Sequence, residues 1–306
     1  MKKILVIKHG SLGDIILALP AFASIRTHYN MSEIFLLTEK KYFDFFKKCP
    51  YIDNCIEDNR KENFLITLNR IIKIFRKKFD LIIDLQNSKR TSFYNLLFSI
   101  FQSTKICSSR PFAYFRYHIP IQGIESVRVG LFNQLKLIGV NQIINEDYSW
   151  LEIKLREKFD RPLALFIPGV SKSGNYKQWQ PYKFAVIAKY LEKLNFTICV
   201  IGNKEDAKSV LPIIESCNNV VNKIDQSPPE VIYSLALNSK IIFSNDTGPG
   251  HIASLAKNNF IWIVNDNNVS RANLPFGNHV YKIQSHSVKD ISIQAVLSLI
   301  EKNKLC

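Results

Sequence analysis

Four short segments carry side chains with chemistry in them. His9-Gly10-Ser11-Leu12-Gly13-Asp14 follows the apolar run Ile4–Ile7 and opens a helical stretch from Asp14 to about His28. Its two glycines allow a tight turn and close approach of a ligand to the backbone. An Asp in the first helical turn is favoured as the ionised form by the helix dipole. Asp14 therefore reads either as a helix cap or as a general base, and spacing alone leaves both open. Ser244-Asn245-Asp246-Thr247-Gly248-Pro249-Gly250-His251 follows the strand Ile241–Phe243 and opens another helix. Pro249 suits a first turn, Asp246 or Thr247 can cap, and free N–H groups near Thr247 and Gly248 would accept a diphosphate, with His251 close by. The plain alternative is a well-made strand–helix junction with a core histidine. The loop Pro168–Trp179 offers Ser171, Lys172, Ser173 and Lys177, where lysine serves phosphate as a point charge. Glu205, in Gly202-Asn203-Lys204-Glu205, can accept from ribose hydroxyls or simply stand at a helix start.

Each of these segments needs a strand before it and a helix after it. Apolar runs at Ile4–Ile7, Ile34–Leu37 and Leu81–Leu85 alternate with helical patterns over 14–28, 62–78, 90–101 and 125–138. A second series alternates strands at Leu163–Ile167, Phe196–Ile201, Ile241–Phe243 and Phe260–Val264 with helices at 181–194, 204–216, 229–237 and from 249. Alternation of this kind predicts an α/β fold with parallel sheets, and two series predict two doubly wound domains, 1–155 and 156–306. The polar, aperiodic stretch 141–161 is the expected linker, and the amphipathic run Ile291–Ile300 is a candidate to pack back on the first domain. Ligands of such sheets bind at the carboxyl ends of the strands, where all four segments stand.

The chain has 306 residues, 46% of them hydrophobic, enough to bury full cores and to exclude disorder. Its 41 Lys+Arg against 26 Asp+Glu give a formal charge of +15, which points to polyanionic partners: nucleic acid, an acidic membrane or phosphorylated substrates. The excess is spread over the chain, with one enrichment between Arg60 and Arg90, unlike a basic nucleic-acid-binding tail. Six cysteines without a C-x-x-C pair read as reduced thiols, three or four of them in the core. The opening residues lack the long apolar run of a signal peptide, and no stretch is apolar enough to span a bilayer, so a cytoplasmic protein is expected. H-E-x-x-H, G-x-S-x-G and G-x-G-x-x-G are absent, and Gly169–Gly174 begins like a phosphate loop but lacks its Lys-Ser/Thr.

Taken together, Ile4–Asp14 with Ala18-Leu19-Pro20-Ala21, Ile82-Ile83-Asp84-Leu85-Gln86 and Asp246–His251 resemble the corresponding blocks of glycosyltransferase family 9, the heptosyltransferases of the GT-B fold. The resemblance implies an inverting, metal-independent transfer from a nucleotide-sugar, ADP-heptose being the simplest, onto a lipopolysaccharide core, with no cofactor. By the same resemblance Asp14 is the general base, and Ser11 and Gly13 line the acceptor side. Ser173 and Lys177 hold donor phosphates, Glu205 the nucleoside, and Asp246, Thr247, Gly248 and His251 the diphosphate and sugar. Lys89 and Arg90 are candidate contacts to the anionic glycolipid. The segments Lys40–Lys48 and Arg60–Lys78, each with a basic and an aromatic face, are candidates for peripheral contact with the inner membrane or for packing on the sheet. Three positions depart from the family pattern: Asn87 where glycine is usual, Gly250 where a larger side chain is common, and Pro181 one residue later than usual after Trp179. Rival expectations are another nucleotide-sugar and acceptor, a sugar-binding protein without catalysis, and a nucleic-acid-binding protein.

Overall fold

The structure is a computed structural model describing residues 1–60, 64–101, 104–121, 125–142, 147–267, 272, 273, 275 and 277–306. It divides into two compact units, Met1–Trp150 and Leu151–Cys306, the division falling slightly ahead of the sequence boundary at 155/156.

The first unit holds a six-stranded parallel sheet. Its strands are β1 (Lys3–Ile7), β2 (Glu33–Thr38), β3 (Asn54–Glu57), β4 (Leu81–Asp84), β5 (Lys105–Ser108) and β6 (Phe115–Arg116), in the order β3-β2-β1-β4-β5-β6. The chain order turns about β1, which pairs in parallel with both β2 and β4. A switch of this kind puts the residues after β1 and β4 at the place where open sheets bind ligands. β1 is apolar on both faces from Ile4 to Ile7, all fully buried, as a central parallel strand must be. The helices are α1 (Leu12–His28), α2 (Phe43–Lys47), α3 (Phe64–Phe75), α4 (Lys89–Phe101) and α5 (Val127–Lys136).

The second unit repeats the plan with β7 (Leu163–Ile167), β8 (Thr197–Gly202), β9 (Val220–Ile224), β10 (Ser239–Asn245), β11 (Asn259–Asn265) and β12 (Val280–Ser285), in the order β12-β11-β10-β7-β8-β9. Around it lie α6 (Pro181–Lys193), α7 (Ala207–Ser216), α8 (Pro229–Leu237), α9 (Gly248–Ser254) and the C-terminal helix Ile293–Lys302. Phe166 and Phe243, on neighbouring strands, stack with ring centroids 4.9 Å apart beside the fully buried Trp179. Val296, Ile300 and Leu305 belong to this same core, so the C-terminal helix buries its apolar face within the second unit. The apolar face, not the position at the chain end, decides where it lies.

Two further expectations are resolved. In the segment Lys40–Lys48, Tyr42, Phe45 and Phe46 are buried, Phe46 edge-on to Phe22 of α1, so the aromatic face is core. In α3, Ile71 and Ile74 join the core of the first unit; Lys61 and Glu62 lie outside the described residues. All six cysteines are free, with Cys49, Cys107, Cys199 and Cys217 buried. Burial pushes the thiols of Cys49, Cys107 and Cys199 up to about 12, so they stay protonated and behave as small apolar groups.

Candidate active site

In the first unit the chain leaves β1 through two buried polar residues, Lys8 and His9. The Lys8 ammonium donates to the carbonyl of Leu85 at 3.3 Å. Burial lowers its pKa, while the nearby carboxylates of Asp14 and Asp84 act in the opposite direction. His9 is held from two sides: its N–H donates to Gln86 Oε1 (2.9 Å), and its Nε2 lies 2.9 Å from a carboxylate oxygen of Asp58. Tyr42 then ties the next residue by donating to the Gly10 carbonyl at 2.8 Å.

Gly10 adopts φ +111°, and a Cβ there would stand 2.7 Å from Asp14 Oδ2. Only glycine suits both the backbone and the space. Ser11 caps α1 in a reciprocal box: Ser11 N–H and Oγ donate to Asp14 Oδ2 at 2.9 and 3.1 Å, and the Asp14 N–H donates to Ser11 Oγ at 3.5 Å. The capping role read from the sequence is therefore present. It occupies Oδ2 alone, and Oδ1 takes no hydrogen bond among the described residues. One carboxylate oxygen thus anchors the helix start while the other stays outside the capping box. Gly13 is buried beside it and Ser11 is exposed.

The strand end of β4 supports this loop. Asp84 is fully buried and accepts from the N–H groups of Gln86 and Asn87 (3.0 and 2.9 Å), Ser108 Oγ (2.9 Å) and Asn95 Nδ2 (3.3 Å). Burial raises its pKa above the usual carboxylate range. Lys89 is exposed at the first turn of α4. Arg90, expected among acceptor contacts, instead donates to Asp58 at 2.8 Å and lies over the Tyr94 ring, whose hydroxyl also donates to Asp58. Burial pushes the Asp58 carboxyl upward, but the hydrogen bonds from His9 and Arg90 outweigh it and hold the pKa low. Asp58 was not singled out in the sequence. An acid directly after a half-polar edge strand gives no signal until His9, Arg90 and Tyr94 converge on it.

In the second unit Lys177, Asp246 and His251 come together. Lys177 Nζ lies 2.7 Å from Asp246 Oδ2, and His251 Nε2 lies 3.6 Å from Asp246 Oδ1. Burial raises the Asp246 pKa, yet His251 and Lys177 together bring it below the ordinary range. His251 packs against Trp262, ring centroids 5.0 Å apart. Thr247 stands at the N-cap of α9 without a side-chain cap bond, and Gly248 begins the helix. The first N–H groups of α9 thus lack the internal carboxylate that α1 has. Asn245 holds the preceding loop in place: its Oδ1 accepts from Trp179 N–H (3.1 Å) and its Nδ2 donates to the Pro168 carbonyl (2.8 Å). Asn245 is a residue the sequence reading passed over, although a buried amide at a strand end commonly signals a braced loop.

Ser173 lies in the 3-10 segment Lys172–Lys177, 3.4 Å from Ser171 Oγ. Glu205 pairs with Lys172 at 3.2 Å, both well exposed. Asp206 abuts the neighbouring loops, since a Cβ on Gly169 would fall 2.3 Å from its Cγ. No trio of His, Cys, Asp or Glu among the described residues is grouped to hold a metal ion.

The family model of glycosyltransferase family 9 (heptosyltransferase) matches residues 68–286, which run through both units. The chain belongs to glycosyltransferase family 9. It is 24% identical over 277 residues to a lipooligosaccharide heptosyltransferase 2 from Haemophilus ducreyi, covering 82% of this chain and 79% of that one. Among solved structures, a family 9 glycosyltransferase from Veillonella parvula superposes with a TM-score of 0.82 at 18% identity, covering 98% and 96% of the two chains. The E. coli heptosyltransferase WaaC with ADP superposes at 0.79 with 16% identity, over 98% and 99%. These likenesses fix the fold as that of the GT-B heptosyltransferases, and family membership makes the protein a glycosyltransferase.

The departures from the family 9 pattern have local causes. Asn87 has φ +52°, a left-handed conformation that asparagine tolerates better than most residues. Its side chain accepts from Ser109 N–H at 2.8 Å and donates to Gln134 Oε1 at 2.7 Å. It keeps the backbone shape that glycine would give and adds these side-chain bonds, with Ser108 Oγ donating to its Oδ1 as well at 3.1 Å. At Gly250 a Cβ would meet Ser244 Oγ at 2.3 Å and the Trp262 ring at 2.7 Å. The Trp262 ring and Ser244 fill the space that a larger residue would take. Pro181 is the first residue of α6, while Trp179 turns inward and donates from Nε1 to the Ile291 carbonyl at 2.8 Å.

Proposed function

We propose that this glycosyltransferase transfers a heptose from ADP-heptose, with inversion and without a metal, onto a lipopolysaccharide core acceptor. The observation that carries the reading is the Lys177–Asp246–His251 group beside the uncapped start of α9. It combines a cation, a buried carboxylate and backbone N–H donors at the carboxyl end of β10. Such an arrangement suits a nucleoside diphosphate linked to a hydroxyl-rich sugar. The relatives, a heptosyltransferase solved with ADP and a lipooligosaccharide heptosyltransferase, support the choice of donor and acceptor.

In the proposed reaction an acceptor hydroxyl oxygen attacks the anomeric carbon, and its proton passes to Asp14 Oδ1. The new C–O bond forms as the bond to the phosphate oxygen breaks, and ADP departs with that electron pair. Single displacement inverts the anomeric centre. Lys177 and the α9 N–H groups offset the charge developing on the diphosphate, a role that a metal fills elsewhere. Ser173 adds a hydroxyl donor to the phosphates and Glu205 an acceptor for ribose, with Lys172 at its side. Thr247, Gly248 and His251 border the sugar. Ser11 and Gly13 shape the acceptor side, and Lys89 supplies a cation to the anionic glycolipid.

A thermal-shift series with nucleoside diphosphates and nucleotide-sugars tests the donor. ADP and ADP-heptose are expected to stabilise the protein most, in proportion to occupancy. A preference for UDP or GDP would move the reading to another nucleotide-sugar with another acceptor. Transfer measured in EDTA is expected to match transfer without it, and a strict requirement for a divalent ion would overturn the metal-free step.

A further inference from the structure

The loop that carries Asp14 has little stiffness of its own, since glycine stands at both Gly10 and Gly13. Ties from outside hold it instead. His9 N–H donates to Gln86 Oε1 at 2.9 Å, and its ring Nε2 lies 2.9 Å from Asp58 Oδ2. The Gly10 carbonyl accepts from the Tyr42 hydroxyl at 2.8 Å. The bonds between Ser11 and Asp14 are internal to the helix start and fix neither residue to the sheet. The polar attachment of this helix start therefore runs through His9 and Gly10.

Asp58 reaches further than a packing contact requires. It follows β3 and His9 follows β1, with β2 lying between those two strands. Arg90 and Tyr94 meet the same carboxylate from α4, which follows β4 on the other side of β1. The Asp58 backbone is fixed as well, its N–H donating to the Thr38 carbonyl at 2.8 Å. The side chains of His9 and Asp58 are only 1% and 3% exposed. A buried ionic cluster commonly stabilises a fold no better than apolar groups of the same volume. What this one supplies is direction: Arg90 and Tyr94 aim the carboxylate, and the carboxylate aims one ring nitrogen of His9.

We propose that Asp58, acting through His9, is a positioning residue for the base: it sets where the start of α1, and with it Asp14, stands relative to an acceptor hydroxyl. Neither Asp58 nor His9 touches the reacting atoms. A catalytic group displaced by a fraction of an ångström loses much of its effect. The pair therefore acts on turnover and leaves the donor, whose proposed site lies in the second unit, bound as before. The role rests on the proposed assignment of Asp14 as base and is independent of which nucleotide-sugar is the donor.

The test compares His9→Leu, His9→Gln, Asp58→Asn and Asp14→Asn in the full chain, with the nucleotide-sugar that the parent turns over. His9→Leu cuts the tie while Asp58 keeps Arg90 and Tyr94, so no buried charge is left unpaired and the fold is expected to survive. Its kcat should fall by about ten- to a hundred-fold. The KM for donor and the thermal shift given by the matching nucleoside diphosphate should stay as in the parent. Asp58→Asn should repeat that split, and His9→Gln, whose amide can donate to Asp58, should recover most of the turnover. If Asp14→Asn loses turnover while His9→Leu keeps it, Asp58 loses its role and the base stands. If Asp14→Asn keeps full turnover, the base falls and the positioning role falls with it. A lower melting temperature in His9→Leu with kcat unchanged would make the cluster structural only. Equal losses in His9→Gln and His9→Leu would also overturn the proposal, because the bond to Asp58 would not be what matters.

Discussion

The two units solve the same geometric problem in opposite ways. Each sheet has a strand–loop–helix junction beside its switch point: β1 to α1 in the first, β10 to α9 in the second. At α1 the chain supplies its own anion, with Ser11 and Asp14 closing the helix start. At α9 the N-cap Thr247 makes no side-chain bond, and the nearby carboxylate, Asp246, is committed to Lys177 and His251. A helix start that satisfies itself has no need of an external anion, and its carboxylate is left with one oxygen for a proton. A helix start left open attracts an anion. The proposed function rests on this difference, with proton acceptance in the first unit and diphosphate binding in the second.

The sharpest way to break this division is Asp14→Asn, which can keep much of the capping box while removing the base. Turnover should fall by about 10²- to 10⁴-fold with little change in melting temperature. Full turnover would return Asp14 to a purely structural role. Next is Lys177→Ala, which removes a charge-assisted hydrogen bond of about 1.5–3 kcal/mol, roughly ten- to a hundred-fold in donor affinity by calorimetry. An unchanged affinity would leave the second junction without its cation. Gly250→Val should destabilise the protein by about 1–3 kcal/mol in denaturant unfolding, since Ser244 and Trp262 occupy the space.

The smallest effect concerns pH. Asp246 has a depressed pKa in the fold, so its contribution to stability is present above the unfolded carboxylate value and is lost as pH falls through the lower folded value. Asp84 has a raised pKa, so the fold favours its protonation and loses stability as pH rises from the unfolded value to the folded one. Asp246→Asn should therefore flatten the loss of stability on acidification and Asp84→Asn should steepen it, read from melting temperatures across the acid range. Identical slopes would erase the contrast between the two carboxylates.

Much of the fold was legible in order. The helix 229–237 and the strand Leu163–Ile167 coincide with α8 and β7, and the central strands agree to within a few residues. The strands missed, β3, β5, β6, β9 and β12, flank the sheets or lie at their edges. Val220–Ile224 has no fully buried residue, so its hydrophobic pattern is too weak to separate it from a loop. Among candidate site residues, Lys177, Asp246 and His251 meet in one group and Asp14 pairs with Ser11, whereas Arg90 is held by Asp58, far from it in sequence.

Residue type and spacing by themselves determined the parallel α/β plan, the two series, the family and the four loops at strand ends. Those properties follow from apolar periodicity and from short-range capping chemistry, both local in the chain. The tertiary structure alone decided that Asp14 uses one oxygen to cap and leaves the other open, and that Asp58 gathers His9, Arg90 and Tyr94. It also decided that Trp262 requires a glycine at 250, and that the aromatic face of Lys40–Lys48 is core. The Asp58 cluster joins residues more than thirty positions apart, and the others turn on side-chain geometry at atomic distances, neither of which residue type and spacing encode.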